Sequence, residues 1–409
     1  MPPIVFYFPY PRVGGVSVLF LRLAKKLVGT ADIYLMDLSD GYMATNLPPG
    51  CQFIPFDKPE LIPANSIVVF QSVPPWRIRD LESFPLGAKV LFWNLHPYNL
   101  SPGLIHKGSR FLSVKLVRTL NKLFSVPRLD HLKQLCVLLE SKNSIVFMDE
   151  ENRSKTSVEL EMPLSPVFLP ITTEDAPKFN EVIRIERPLQ KLKVAWVGRI
   201  EGFKIPILLH TLVRFNDIAS FDIEFDIVGD GIEIDFLIEK VASLKRLKVN
   251  FKGNVNYKQL DQMLCQQHMV FAMGTSALDS AKLGIPTFVL DYSYSDIVGN
   301  YRYRLLRTAT GYNVAEEITT SHMEATSSLD SMLQDLVDNY EIECKLAYDY
   351  WRNNHSPGVV SDMFLVQVGK ATATIGDIVD ARLHVPDFMT NLISLVDRRK
   401  PDGSGFIRR

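Results

Sequence analysis

The chain has 409 residues, a formal net charge of −1 and 46% hydrophobic residues. This length is enough for two cores of ordinary size, and the balanced charge gives no indication of nucleic-acid binding. No apolar run is long enough for a transmembrane helix, no secretory signal is evident, and the four cysteines lack metal or disulfide spacing, so we expect a cytoplasmic protein with reduced thiols.

Residues 4–8 predict a β-strand because they are continuously apolar, and residues 16–28 predict a helix because their apolar residues recur at helical spacing. Gly14 and Gly15 lie between these two elements. They lack the three-glycine spacing of a dinucleotide-binding fingerprint, so we expect no nicotinamide cofactor. Taken alone, the glycine pair predicts a tight turn that needs positive φ.

Continuous apolar runs predict further strands of the kind that parallel sheets cover on both faces. They lie at residues 33–36, 66–71, 89–93, 144–148 and 167–171. The strand at 89–93 leads to His96, and ligands of open α/β sheets bind at the carboxyl ends of strands. Imidazole suits proton transfer or a hydrogen bond to a hydroxyl, so His96 is a candidate catalytic residue. A structural histidine before a proline is the alternative.

Residues 106–135 form a basic amphipathic segment, in which a single acid, Asp130, accompanies seven lysines and arginines among apolar residues. The basic residues are Lys107, Arg110, Lys115, Arg118, Lys122, Arg128 and Lys133. Such a segment suits an anionic membrane surface, and the basic residues near the carboxyl terminus can assist this docking. A solvated helix packed on a sheet is the alternative.

In the C-terminal half, a buried-type run at residues 194–197 ends at Gly198 and is followed by Arg199 and Lys204. Two cations at the carboxyl end of a strand suit a diphosphate, because arginine offers a fork for two phosphate oxygens and lysine a movable point charge. The alternative is that both are solvated surface side chains. A second strand signal, at residues 225–228, ends at Gly229.

The segment 274–287 predicts a polar turn, a short helix and a buried strand. Small residues at Gly274, Thr275 and Ser276 let backbone N–H groups at a helix N-terminus approach an anion. Asp279, one turn further along the helix, is then within reach of a pair of ribose hydroxyls. These residues predict a phosphate-binding loop, with an ordinary capped helix as the alternative.

The run of residues 194–291 resembles the donor half of a GT-B glycosyltransferase, close to the glycosyltransferase group 1 or family 4 pattern. The resemblance implies that Arg199 and Lys204 bind the donor diphosphate. It also implies that Gly229 belongs to a glycine-rich turn of the donor site and that Asp279 binds the nucleotide ribose.

The resemblance has one departure and two further matches. The family motif has two glutamates eight positions apart, whereas the position eight residues before Asp279 is Phe271. The first acid is therefore missing, which leaves the stereochemistry of transfer open. In the resembled fold, a glycine pair in the place of Gly14 and Gly15 lies over the donor phosphates and the acceptor, and a histidine comparable to His96 contacts the donor sugar in many members.

The fold implied by this resemblance is α/β, with two Rossmann-like domains of the GT-B type whose parallel sheets face each other across a cleft. We expect an N-terminal, acceptor-side domain at residues 1–175 and a donor-binding domain at residues 190–360. Residues 361–409 are expected to form helices that cross back to the N-terminal domain, followed by a basic tail.

The implied activity is transfer of a sugar from a nucleotide diphosphate sugar to a hydroxyl of a glycan or lipid-linked glycan. No acid-rich metal motif is present and the two cations can replace a divalent ion, so we expect metal independence and no cofactor. The expected partners are donor, acceptor and an anionic membrane surface on the cytoplasmic side. The alternatives are a nucleotide-sugar 2-epimerase on the same scaffold and a non-catalytic nucleotide-binding relative in a polysaccharide assembly complex.

Overall fold

The computed structural model describes residues 1–11, 13–102, 126–188, 190–323 and 328–386. Residues 106–125 of the predicted membrane-binding segment and the basic tail lie outside the described residues. The chain divides into two compact units. The first comprises Met1–Pro170 together with the chain from Val360 onward, and the second comprises Ile171–Val359.

The first unit contains a six-stranded parallel sheet in the order β3-β2-β1-β4-β5-β6. Its strands are β1 (Ile4–Tyr7), β2 (Ile33–Asp37), β3 (Cys51–Pro55), β4 (Ile67–Gln71), β5 (Lys89–Asn94) and β6 (Ile145–Phe147). Strands β1 and β6 are buried along their whole length, in agreement with their continuously apolar sequences.

Two elements of this sheet differ from the sequence prediction. The strand predicted at 167–171 is wrong, because the segment contributes only a single bridge between Phe147 and Phe168. Strand β3 was not predicted. It lies at the edge of the sheet and exposes Gln52, so it needs fewer apolar residues than a central strand and leaves a weaker pattern.

Twelve α-helices are described in the ranges given above. They are α1 (Gly15–Leu27), α2 (Tyr42–Thr45), α3 (Val126–Ser141), α4 (Glu150–Leu160), α5 (Ile205–Asp217), α6 (Ile234–Val241), α7 (Tyr257–Leu264), α8 (Thr275–Ala281), α9 (Leu329–Asp338), α10 (Tyr340–Asn354), α11 (Pro357–Lys370) and α12 (Ile375–Asp380). None of these helices is long and apolar enough to span a bilayer.

The second unit contains another six-stranded sheet, in the order β12-β11-β10-β7-β8-β9. Its strands are β7 (Lys191–Val197), β8 (Asp222–Val228), β9 (Lys248–Gly253), β10 (Met269–Ala272), β11 (Thr287–Val289) and β12 (Arg304–Leu305). Only the short β12 runs antiparallel to its neighbour. The predicted α/β class with two parallel, Rossmann-like sheets is confirmed.

Each sheet has one point at which the strand order reverses. In the first unit the chain passes from β1 outward through β2 and β3 and then returns to β4 on the other side of β1. In the second unit the same reversal separates β7 from β10. Crevices for ligands in open α/β sheets form at the carboxyl ends of the strands that flank such a point.

The first unit is completed by residues from the far end of the chain. Helix α11 contains the division between the units at Val360, and its Phe364 ring stacks on Phe6 of β1 with centroids 5.5 Å apart. The Val90 N–H of β5 donates to the Ala373 carbonyl over 2.8 Å. The fold of this unit therefore depends on segments separated by the whole second unit.

Candidate functional site

Three adjacent loops of the second unit carry most of the predicted donor-binding residues. Val197 at the end of β7 pairs with Ala272 of β10 on one side and with Val228 of β8 on the other. The residues that follow these three positions therefore leave the same edge of the sheet side by side. The six predicted residues that this arrangement brings to one edge are Arg199, Lys204, Gly229, Gly274, Thr275 and Ser276.

The loop after β7, residues 198–204, is called the cation loop below. Its Arg199 side chain is 77% exposed and forms an ion pair with Glu201 at 2.8 Å. The Lys204 N–H donates to the Glu201 carbonyl over 2.9 Å, which folds the loop into a tight turn. The turn therefore holds both cations close to the carboxyl end of β7.

Lys204 has an unfavourable electrostatic environment for a cation. Burial lowers its pKa, the nearby Arg199 lowers it further, and Glu201 acts in the opposite direction. Lys204 also lies at the N-terminus of α5, where the helix dipole is positive. Within the described parts of the chain it forms no ion pair. An anion bound at this position would offset the effects of burial, of Arg199 and of the helix dipole.

The glycine turn after β8 supports the cation loop through its backbone. Gly229 has φ of +132°, and a Cβ atom there would lie 1.9 Å from the carbonyl oxygen of Gly198. A Cβ atom at Gly231 would lie 2.1 Å from the carbonyl oxygen of Ile200. The Ile200 N–H donates to the Asp230 carbonyl over 2.9 Å. Glycine is therefore required here by close backbone packing, which places Gly229 under the cation loop.

The loop after β10 consists only of Met273 and Gly274, since α8 begins at Thr275. Gly274 has φ of +61°, and its N–H donates to the Val314 carbonyl over 2.9 Å. Of the three N–H groups in the predicted phosphate-binding loop, the one of Gly274 is thus already engaged. The N–H groups of Thr275 and Ser276 belong to the first turn of α8, where helices have no internal acceptors.

Asp279 is 6% exposed and lies among charged side chains from the end of α8 and from α7. Its Oδ1 lies 3.4 Å from Nζ of Lys282, which is fully buried and also lies 3.0 Å from Oδ1 of Asp261. A ribose contact by Asp279 would have to share the carboxylate with this lysine. The pairing gives Asp279 a structural role beside the predicted one.

Phe271, eight residues before Asp279, is completely buried in β10. Its ring stacks on that of Phe288 in the neighbouring strand, with centroids 4.6 Å apart. Because only two residues join β10 to α8, counting back eight positions reaches the middle of a core strand. The short loop thus explains why an acid is absent at this position.

The other predicted residues lie in the first unit. Gly14 has an extended conformation with φ of −148° and precedes α1, and its N–H donates to Ser17 Oγ over 3.1 Å. Gly15 is the first residue of α1 and has no positive φ either. The alternative of a tight turn that needs positive φ is therefore wrong. Both glycines follow β1, next to the reversal of strand order.

His96 is exposed and follows β5, which is separated from β1 by β4. Its Nδ1 accepts a hydrogen bond from the Tyr98 N–H over 3.2 Å. A neutral imidazole that accepts at Nδ1 carries its proton on Nε2. The histidine and the glycine pair therefore lie at the same edge of the first sheet, on different strands.

The sequence reasoning missed a buried charged network at the end of β11. Asp291 accepts hydrogen bonds from the Tyr301 hydroxyl over 2.7 Å, from Arg304 over 2.6 Å and from the Glu316 N–H over 2.8 Å. The main chain at Glu316 is two residues from Val314, whose carbonyl binds Gly274. The sequence signal that could have indicated this network is the aromatic and basic segment 301–306.

Metal ligands were not expected in the sequence. Within the residues that the structure describes, no group of three or more His, Cys, Asp or Glu side chains is arranged to hold a metal ion.

Comparison with known proteins gives matches among solved structures only. No family model matches the chain, and no curated protein does. The chain resembles HepE of Anabaena in complex with UDP and glucose (11% identity, 90% of this chain and 99% of that chain covered, TM-score 0.53). It also resembles a glycosyltransferase from Rickettsia africae ESF-5 (11%, 90% and 98%, TM-score 0.57). A third similar structure is the sucrose-phosphate synthase from Thermosynechococcus elongatus (11%, 90% and 98%, TM-score 0.53). Matches over nearly the full length of these chains show that the protein has the GT-B glycosyltransferase fold.

Proposed function

We propose that the protein is a glycosyltransferase that moves a sugar from a nucleotide diphosphate sugar to a hydroxyl of a glycan or lipid-linked glycan. The observation that carries this proposal is the meeting of three loops at the reversal of strand order in the second sheet. There the cation loop lies between the glycine turn and the start of α8. The similar structure of HepE, which contains UDP and glucose, supports a nucleotide-sugar donor.

In this proposal the second unit stabilises the leaving diphosphate. Arg199 and Lys204 neutralise the charge that develops on it, which is where electrostatic stabilisation contributes most to such a reaction. The N–H groups of Thr275 and Ser276 add donors at the N-terminus of α8. Asp279 binds the ribose. Arg199 leaves its ion pair with Glu201 and binds the phosphate instead.

The first unit supplies the remaining groups in this proposal. His96, with a proton on Nε2, contacts the sugar or the acceptor hydroxyl. Gly14 and Gly15 allow close approach of the donor phosphates and acceptor to the start of α1. The basic segment 106–135 docks the enzyme on the cytoplasmic face of a membrane that carries a lipid-linked acceptor.

Two other functions remain to be tested against this one. A nucleotide-sugar 2-epimerase needs several acid and base groups close to the sugar, and position 271 is a buried phenylalanine rather than an acid. A non-catalytic relative would bind the nucleotide without turnover. Chromatography measures release of the nucleoside diphosphate from the donor with and without acceptor. This measurement distinguishes a transferase from the epimerase and from the non-catalytic relative.

The donor site is tested by thermal unfolding of the protein with UDP, GDP, ADP, CDP or dTDP. A ligand at about 100 times its Kd adds about 2.7 kcal/mol to the folded state, so the matching nucleotide raises Tm. Arg199→Ala should weaken the binding of this nucleotide about 10- to 100-fold, because a charge-assisted hydrogen bond is worth about 1.5–3 kcal/mol. Asp279→Asn should weaken the nucleotide and leave the affinity for inorganic pyrophosphate unchanged.

The control is Lys191→Ala, which removes a cation at the amino end of β7, the strand that leads to the cation loop. Lys191 pairs there with Glu224 at 2.9 Å. It should leave the nucleotide affinity unchanged. If none of the five nucleotides raises Tm, the transferase assignment is wrong. If Asp279→Asn weakens pyrophosphate as much as nucleotide, Asp279 supports the loop and does not bind ribose.

A further inference from the structure

Three aromatic side chains lie in or beside the cation loop and take no part in the proposed donor contacts. Phe203 belongs to the loop itself, and Tyr292 and Tyr294 follow β11. The centroid of the Phe203 ring lies 5.9 Å from that of Tyr292 and 6.3 Å from that of Tyr294, and the two tyrosine rings are 5.9 Å apart. We call Phe203, Tyr292 and Tyr294 the aromatic trio.

The backbone holds the aromatic trio in place. The Ser293 N–H donates to the Phe203 carbonyl over 3.0 Å, which joins the segment after β11 to the cation loop. Tyr292 exchanges backbone hydrogen bonds with Glu316 and Ile318 over 2.9 and 2.8 Å. The Ser295 N–H donates to Ser293 Oγ over 3.1 Å. Rings on an ordered main chain lose little conformational entropy when a ligand binds.

The exposure of Tyr294 is not explained by packing of the core. Its side chain is 64% exposed, whereas Tyr301 and Tyr303 of the same segment are 3% and 5% exposed. Aromatic rings contribute most to stability when they are buried. Tyr294 therefore presents part of its surface to solvent, where a ligand can contact it.

The position of the cations indicates the chemistry of that ligand. Nζ of Lys204 lies 5.6 Å from the centroid of the Phe203 ring. A sugar attached to a phosphate at Lys204 would therefore lie next to the aromatic trio. The apolar C–H face of a pyranose packs on an aromatic ring, and the tyrosine hydroxyls can bond to sugar hydroxyls.

We propose that the aromatic trio is a subsite for a pyranose ring, carried by either the donor or the glycan acceptor. This inference rests on the proposed function, because Lys204 is taken to bind the donor phosphate. It assigns to the second unit a sugar contact that does not depend on an acid at position 271.

The test compares wild-type protein with Tyr294→Ala and Tyr294→Phe. Calorimetry gives the affinity for UDP and UDP-glucose, or for the matching pair if another base is selected by thermal unfolding. Saturation-transfer NMR with methyl glucoside, mannoside and galactoside detects binding of a free pyranose. The matched control is Val298→Ala, which removes another highly exposed side chain from the same loop.

If the donor sugar occupies the subsite, Tyr294→Ala weakens UDP-glucose about three- to tenfold and leaves UDP unchanged, whereas Tyr294→Phe retains most of the affinity. If the acceptor occupies it, the alanine variant loses only the NMR signal of a hexoside. Equal weakening of UDP and UDP-glucose would assign the ring to the nucleobase and overturn the inference.

An unchanged alanine variant would also overturn it. If no nucleotide binds the wild-type protein, the proposed function fails and the hexosides decide the inference alone: a signal lost in Tyr294→Ala supports the subsite, and no signal in wild type rejects it.

Discussion

At the scale of single residues, Gly229 shows how closely the backbone of the candidate site is packed. Its missing side chain lets the glycine turn approach the Gly198 carbonyl, and its φ of +132° is one that other residues rarely adopt. The position of Arg199 and Lys204 therefore depends on a residue that has no functional group of its own.

We expect Gly229→Ala to destabilise the second unit by more than about 2 kcal/mol, because the new methyl group would both strain the backbone and collide with a carbonyl oxygen. For a unit of this size the loss corresponds to a fall in Tm of about 4–8 °C. Thermal unfolding followed by circular dichroism measures it. Gly202→Ala is the control, since a Cβ atom there meets nothing within 4 Å. Equal stability of the two variants would contradict this account.

Residue patterns predicted the candidate site to different degrees. Arg199 and Lys204 could be predicted to follow a strand because an apolar run precedes them, and Gly274 could be predicted to precede a helix because small residues follow it. The packing of Gly229 against Gly198 and the pairing of Lys282 with Asp261 could not, because both depend on distances between elements. Gly14 and Gly15 show the opposite error: a glycine pair suggested a turn with positive φ, whereas Gly14 is extended.

At the scale of elements, the network at the end of β11 joins three segments that have no common sequence pattern. Glu316 accepts a hydrogen bond from His322 at 3.3 Å and forms an ion pair with Arg304 at 3.1 Å. Arg304 in turn binds Asp291. The partners are separated along the chain, so no pattern in the sequence links them. Edge strand β3 was missed for a different reason: its apolar pattern is weak because less of the strand is buried.

This network predicts a specific acid sensitivity. The hydrogen bond from His322, opposed by burial and assisted by Arg304, lowers the pKa of Glu316 to about 2, compared with about 4.3 in an unfolded chain. Because the folded pKa is the lower one, the stabilisation is complete above about pH 4.3 and is lost as the pH falls towards 2. Glu316→Gln should cost about 1–2 kcal/mol at neutral pH, since the carboxylate keeps some solvent contact.

Urea unfolding of wild type and Glu316→Gln between pH 7 and pH 2 measures this dependence. The difference between the two proteins should shrink as the pH falls through the window. Glu239→Gln changes an exposed carboxylate on α6 and serves as control. A constant difference at every pH would mean that the side chain acts through packing and not through its charge.

At the scale of the whole molecule, the fold could be predicted because two levels of pattern agreed. Continuous apolar runs indicated parallel strands, and the motifs at residues 194–291 resembled one particular fold. The GT-B architecture followed from their combination, whereas acceptor, base and sugar did not. Their recognition depends on loop geometry and on individual side chains such as Tyr294, for which sequence spacing has no fixed rule.

The proposed enzyme should work without a divalent metal, because Arg199 and Lys204 supply the positive charge next to the leaving diphosphate. We expect transfer, measured as release of the nucleoside diphosphate, to be the same in EDTA and in magnesium chloride. Arg199→Ala assayed in both buffers is the matched comparison. Loss of wild-type activity in EDTA that magnesium restores would contradict the expectation.

The return of the chain to the first unit has a consequence for biosynthesis. Phe364 and Ala373 contact β1 and β5 of the first unit, yet they leave the ribosome after the entire second unit. Domains usually complete folding in the order of synthesis, N-terminal first. Here the N-terminal half must wait, with part of its sheet uncovered, until the second unit has been translated. Premature termination after residue 359 would therefore leave the earlier half, rather than the later one, incomplete.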